Sequence, residues 1–140
     1  MNELLAYAIL LCERIVSDEL FNAQLDKIFL ESPNDGKLLE LECMGNAEKA
    51  AASVRALFDY SKLDKVRFGK AIMKELNEYS RSCGITEQFG KKMYLLWKSL
   101  PGCIQHEEPF SVFTYADEPL SWGDEQQSCE LYEKAFYYYN

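Results

Sequence analysis

Apolar positions along this chain recur at the intervals of helices rather than strands. Leu4, Leu5, Ala8, Leu11, Cys12 and Ile15 fall on one helical face, with Asn2 placed to cap it. Ser17, followed by Asp18 and Glu19, reads as the cap and acidic first turn of a second helix, whose stripe is Phe21, Leu25, Ile28 and Phe29. Ser32-Pro33-Asn34-Asp35-Gly36 interrupts the pattern with turn-forming residues. The next stretch, Leu38 to Cys43, reads equally as a short helix or as a strand of mixed polarity.

From Asn46 the helical period returns. Ala47, Ala50, Ala51, Val54, Leu57 and Phe58 trace one face, and their small side chains suit a closely packed helix. Ser61 is placed to cap a helix running to about Ser82, which Gly84 would end in the left-handed conformation. Thr86 opens another, with Phe89, Met93, Leu96, Trp97 and Leu100 on one side and Pro101-Gly102 as its stop. Loops are expected between Gly102 and Trp122, with Phe110 to Tyr115 rich enough in β-formers for a short strand. If Leu38 to Cys43 were also extended, the two would pair as a small ribbon. Asp124 caps a last helix bearing Leu131, Ala135 and Tyr138, with Tyr132, Phe136 and Tyr139 beside them. The expected fold is all-α. It is a compact bundle of five to six helices, with an irregular acidic-aromatic segment (and the short β ribbon as an option) before the last one. No repeat or linker divides the chain, so residues 1–140 read as a single helical domain.

Composition agrees with a folded domain. Of 140 residues, 48% are hydrophobic and 27% charged, which excludes a disordered chain. The apolar run Leu4 to Cys12 has the length of a signal core, but Glu3 stands where a signal carries Lys or Arg, and no small-x-small cleavage site follows. No run of about 20 apolar residues offers a membrane span. The expectation is a cytoplasmic protein without membrane partners. Cys12, Cys43, Cys83, Cys103 and Cys129 are odd in number, scattered and free of CxxC spacing. They read as reduced thiols packed as small hydrophobes.

Charge changes the picture more than composition does. The net −8 resolves into three blocks. Residues 1–48 hold ten acids and three bases, 49–100 eleven bases and five acids, and 101–140 eight acids and one base, Lys134. On the helix after Ser61, Arg67, Lys70, Lys74 and Arg81 lie within an arc of about 60° at a helical repeat of about 100° per residue. Phe68, Ile72, Met73, Leu76, Tyr79 and Cys83 take the other side. This basic face reads first as a solvated surface with a Lys74–Glu78 pair. In the acidic C-terminal block, Glu107, Glu108, Asp117, Glu118, Asp124 and Glu125 are interleaved with Phe110, Phe113, Tyr115 and Trp122.

Catalytic parts are scarce. His106 is the only histidine. Cys103-Ile-Gln-His106 has the spacing of half a zinc site but lacks a second close pair, so no metal and no cofactor are expected. There is no GxxxxGK[ST], GxGxxG or GxSxG. With 23 acids present, any pair of carboxylates is uninformative about acid–base work. The expectation is no enzyme.

One constellation, Tyr79 to Leu100, resembles a helix-turn-helix. Gly84 sits in the turn between Cys83 and Ile85, and Gln88, Lys91 and Lys92 lie near the start of the second helix. It departs from that pattern at Gly90, where an apolar side chain normally locks the pair. The acidic balance of the chain also opposes phosphate. The leading expectation is an acidic interaction protein that binds and neutralises a basic protein partner, for example an immunity protein against a nuclease-type toxin. Its partner-binding residues would be Glu107, Glu108, Phe113, Asp117, Glu118, Trp122, Asp124 and Glu125. The alternative is a helix-turn-helix DNA-binding regulator, and oligomeric state is left open.

Overall fold

A computed structural model describes residues 1–139 and is helical throughout, with no strand among them. Seven α-helices follow in order: α1 (Asn2–Cys12), α2 (Asp18–Glu31), α3 (Gly36–Cys43), α4 (Ala47–Leu57), α5 (Lys65–Cys83), α6 (Glu87–Ser99) and α7 (Glu125–Phe136). Short 3-10 helices occupy Tyr60–Lys62, Phe110–Thr114 and Glu118–Trp122. None of these helices is long and apolar enough to cross a membrane. The chain divides into two compact units, Met1–Ile72 and Met73–Asn140, with the division falling within α5.

In the first unit α1 is buried on every side from Leu4 to Leu11, and α4 and α2 pack on it. A helix that is apolar all round belongs in a core. Close approach to α4 is permitted by Ala47, Ala50 and Ala51, which are buried with Val54. The end of α1 is a Schellman turn. Arg14 N–H bonds Leu11 O at 3.0 Å and Ile15 N–H bonds Leu10 O at 3.0 Å, so Arg14 adopts a left-handed φ of 58°. Ion pairs with Asp18 and Glu48 hold that residue in place.

Several helix starts follow the expected chemistry. Ser17 accepts from Leu20 N–H, Asn46 from Lys49 N–H, Thr86 from Phe89 N–H and Asp124 from Gln127 N–H. Two do not. The Asn2 side chain caps nothing in α1. It accepts instead from the Asp64 amide at 2.9 Å. Asp64, not Ser61, caps α5, taking the amides of Val66 and Arg67, while Ser61 lies in the preceding 3-10 turn behind its own cap, Asp59. An aspartate one residue ahead of the helix satisfies two orphan amides at once, which a serine three residues further upstream cannot do.

The β ribbon does not form, and each of its two segments is helical for a different reason. Asp35 Oδ1 accepts from the amides of Lys37 and Leu38, starting a helix that buries Leu38 and Leu41. That helix raises the count above the five to six expected. The second segment, Phe110–Thr114, buries Phe110, Phe113 and then Ala116. A period of three is that of a 3-10 helix, and it overrides the β propensity of the residues between.

The second unit has an aromatic core built around Tyr132 of α7. Phe89 meets its ring edge-on at 5.1 Å between centroids, and Phe113 and Phe136 stack on it at 6.3 and 6.2 Å. Tyr79 stacks on Phe89 at 6.0 Å. Such pairs add about 0.5–1.5 kcal/mol each beyond the area they bury. The cysteines depart from the packed arrangement expected of them. All five are unpaired, but Cys12, Cys43, Cys83 and Cys103 are exposed and only Cys129 is half-buried.

Candidate functional site

The acidic-aromatic stretch after Pro101 is ordered by specific ties. Trp97 Nε1 donates to Gln105 O at 2.8 Å, and Gln105 Nε2 donates back to Trp97 O at 3.1 Å, clamping the loop after α6 to that helix. Further on, Gly90 of α6 admits Asp117. A Cβ placed on Gly90 would lie 2.5 Å from the Asp117 Cβ. The missing side chain that departs from a helix-turn-helix is therefore what lets the link between the last two 3-10 helices lie against α6. Pro119 is buried, and Gly123 reverses the chain with φ 82° before Asp124 caps α7.

These ties sort the eight residues expected to meet a partner. Glu118, Trp122, Asp124 and Glu125 fall together on one short exposed stretch, the last 3-10 helix and the first turn of α7, and Trp122 is 63% exposed. Asp124 uses one carboxylate oxygen as the α7 cap, and Glu125 sits in the first turn, where the helix dipole favours a negative charge. Asp117 is half-buried against Gly90, and its charge bears on the Tyr132 hydroxyl. Glu107 and Glu108 are exposed on the earlier loop. Glu107 lies near Tyr139, whose hydroxyl is pushed up to about 12 by burial first, then by Tyr138 and Glu107. Phe113 is placed apart from the others. At 1% exposure and stacked on Tyr132 it is core, leaving Trp122 as the exposed ring among these eight residues.

The basic residues are also placed. Along α5, Arg67, Lys70, Lys74 and Arg81 are exposed. Arg67 Nε donates to Glu3 at 2.9 Å. Arg81 and Asn77 both donate to the Tyr137 hydroxyl at 3.0 Å, and these two bonds, Asn77 first, hold that hydroxyl below the usual tyrosine range. Nothing in the spacing of Asn77, Arg81 and Tyr137 announces this contact. The exposed side of α6 also escapes the sequence pattern, because Tyr94 and Leu95 are apolar yet face outward beside Lys91 and Lys98.

Among the described residues no group of three or more His, Cys, Asp or Glu is arranged to hold a metal, and His106 lies edge-on to Trp97. In the first unit Leu11, Cys12, Arg14, Glu48, Ala51 and Arg55 line a cleft of about 290 Å³. Arg14 there is matched by Asp18 and Glu48, and Arg55 is the second cation of the lining. Compared with family models, curated proteins and solved structures, the chain shows no significant match.

Proposed function

We propose that this protein acts by binding and neutralising a basic protein partner, through the surface formed by Glu118, Trp122, Asp124 and Glu125, with Glu107 and Glu108 adding to its negative field. An immunity protein that occludes a nuclease-type toxin is the concrete form of this reading. The observation that supports it is one juxtaposition: an indole left 63% exposed among carboxylates on an ordered stretch of backbone. Tryptophan is one of the residue types enriched among the side chains that carry most of an interface's binding energy. Carboxylates around it steer a cationic partner and raise its association rate. In this reading the protein is not an enzyme, and its chemistry is charge and shape.

Capture of basic proteins on the immobilised protein tests the reading, followed by kinetics with any partner retained. Glu118→Lys/Glu125→Lys should slow association by about tenfold or more at low salt. Trp122→Ala should instead speed dissociation. A partner whose kinetics ignore all three substitutions removes this surface from consideration.

A further inference from the structure

We propose that a second copy of the chain docks on the outer face of α6, presenting its own Glu118–Glu125 stretch to Lys91, Tyr94, Leu95 and Lys98, so that the protein pairs with itself. At about 100° per residue these four positions of α6 fall within an arc of about 100°, on the side away from the buried Phe89, Met93 and Leu96. Tyr94 is 40% and Leu95 48% exposed, and both lysines are exposed. A helix whose inner face is fully used and whose outer face still carries a tyrosine and a leucine between two lysines has the composition of a docking surface for something acidic and partly apolar.

The geometry of Tyr94 decides between kinds of occupant. Trp97 stacks on the ring at 5.8 Å between centroids, and Lys98 Nζ stands over it at 5.1 Å. A single-stranded nucleic acid needs an open aromatic face for a base to stack on. Here the ring is already engaged by an indole and by an ammonium. A partner would meet the exposed part of this ring, the Leu95 side chain and the positive charge, which suits a protein surface of acids around an apolar anchor. That chemistry is present in this chain, in Glu118, Trp122 and Glu125, on the same unit as α6. Two copies related by a two-fold axis would make the contact twice, since each offers both halves. The net charge of −8 opposes pairing at long range. At physiological ionic strength that repulsion is screened beyond about 8 Å, while pairs in direct contact persist.

The acidic stretch is the same one assigned to a basic partner, so pairing would cover it and such a partner would have to displace the second copy. Self-association is nevertheless measurable without any partner. Lys91 and Lys98 belong only to the pairing surface, so the two readings fail separately. The test is sedimentation velocity of the full chain from about 5 to 500 µM at 0.15 M NaCl. The wild type should dimerise within this range. Lys91→Glu/Lys98→Glu and Glu118→Lys/Glu125→Lys should each weaken association at least about tenfold, because each then opposes like charges. Mixed together, the two variants restore both contacts, one with the native signs and one with the signs exchanged, and should form a heterodimer. A wild type that stays monomeric throughout overturns the proposal, as does a mixture that stays monomeric while the wild type pairs. Circular dichroism of both variants verifies that they are folded, and Lys91→Gln/Lys98→Gln, which adds no negative charge, should weaken pairing to a smaller extent.

Discussion

Replacing Gly90 by alanine should destabilise the protein, although the same change in most helices does the opposite. In the interior of α6, alanine would be favoured over glycine by about 1 kcal/mol from helix propensity alone. Against this, the new Cβ would stand 2.5 Å from the Asp117 Cβ, where ordinary contact begins at 3.4 Å. Asp117 Cβ is bonded directly to the main chain, so no rotamer change moves it away. Either α6 or the link between the last two 3-10 helices must shift by nearly 1 Å. Overpacking of this kind costs about 1–3 kcal/mol, and the absence of a rotamer escape places this case near the upper end. The net loss expected is about 2 kcal/mol, a fall in Tm of several degrees for a chain of this size.

Thermal and urea unfolding of Gly90→Ala, Asp117→Gly and the double variant measure the effect. Asp117→Gly alone should cost about 1 kcal/mol through backbone entropy. In its background the clash is gone, so Gly90→Ala should become neutral or stabilising, giving a coupling of about 2–3 kcal/mol. A Gly90→Ala variant more stable than the wild type would refute the close approach. So would a cost that Asp117→Gly leaves unchanged.

Two further expectations concern buried polar groups. Tyr132 is the centre of the second unit's core, yet its hydroxyl has no hydrogen-bond partner among the described residues, and burial first and Asp117 second push its pKa well above the ordinary tyrosine value. Tyr132→Phe should therefore be neutral or stabilising by up to about 1 kcal/mol in urea unfolding, whereas a loss of more than about 1 kcal/mol would show the hydroxyl to be bonded. In the first unit, burial first, then a hydrogen bond that the protonated Glu42 carboxyl donates to Asp26 and the Asp26 charge, raise the Glu42 carboxyl from 4.5 to about 7. A carboxyl whose folded pKa is raised binds its proton more tightly in the native state. Its contribution is therefore full below about 4.5 and is lost as pH rises through about 7. Glu42→Gln, which keeps a hydrogen-bonding group and removes the repulsion, should raise Tm at pH 8 more than at pH 5. An equal effect at both would contradict the raised Glu42 carboxyl.

How much of this was legible in the sequence depended on whether the deciding contact was local. Ser17, Asn46, Thr86 and Asp124 cap their helices because the acceptor and the amides it serves lie within three residues. Asp35 was equally local. Its position at the start of Leu38–Cys43 favoured a helix, but two buried leucines three residues apart are too short a stripe to establish a period. Phe110, Phe113 and Ala116 carry a spacing of three that is visible in the sequence, yet Val112 and Tyr115 between them weigh towards a strand until the core is known. The acidic-aromatic block shows the limit most clearly. Nothing in the order Phe113, Asp117, Trp122 says which ring turns inward. Phe113 is claimed by Tyr132 and Asp117 by the gap at Gly90, contacts across 19 and 27 residues. Trp122 is left outside.

That sorting bears on how the acidic surface could work. Eight acids against one base in the last 40 residues would serve equally well as a disordered tail, which attracts cations but pays its ordering entropy on binding. Here much of the ordering is already done. Asp117 is seated against α6, Asp124 N–H bonds Pro119 O at 2.9 Å, and the Asp124 side chain is committed to the α7 cap at 3.0 Å. Glu118 and Glu125 flank Trp122 on a backbone that needs no further folding, so a partner would restrict chiefly side-chain rotamers, at about 0.5–1.5 kcal/mol each. Asp124 commits a carboxylate oxygen to the α7 cap and Asp117 is half-buried against Gly90, whereas Glu118 and Glu125 are exposed. It follows that Asp124→Ala, which removes the cap acceptor, should change stability more than partner association, and that Glu118→Gln and Glu125→Gln should do the reverse.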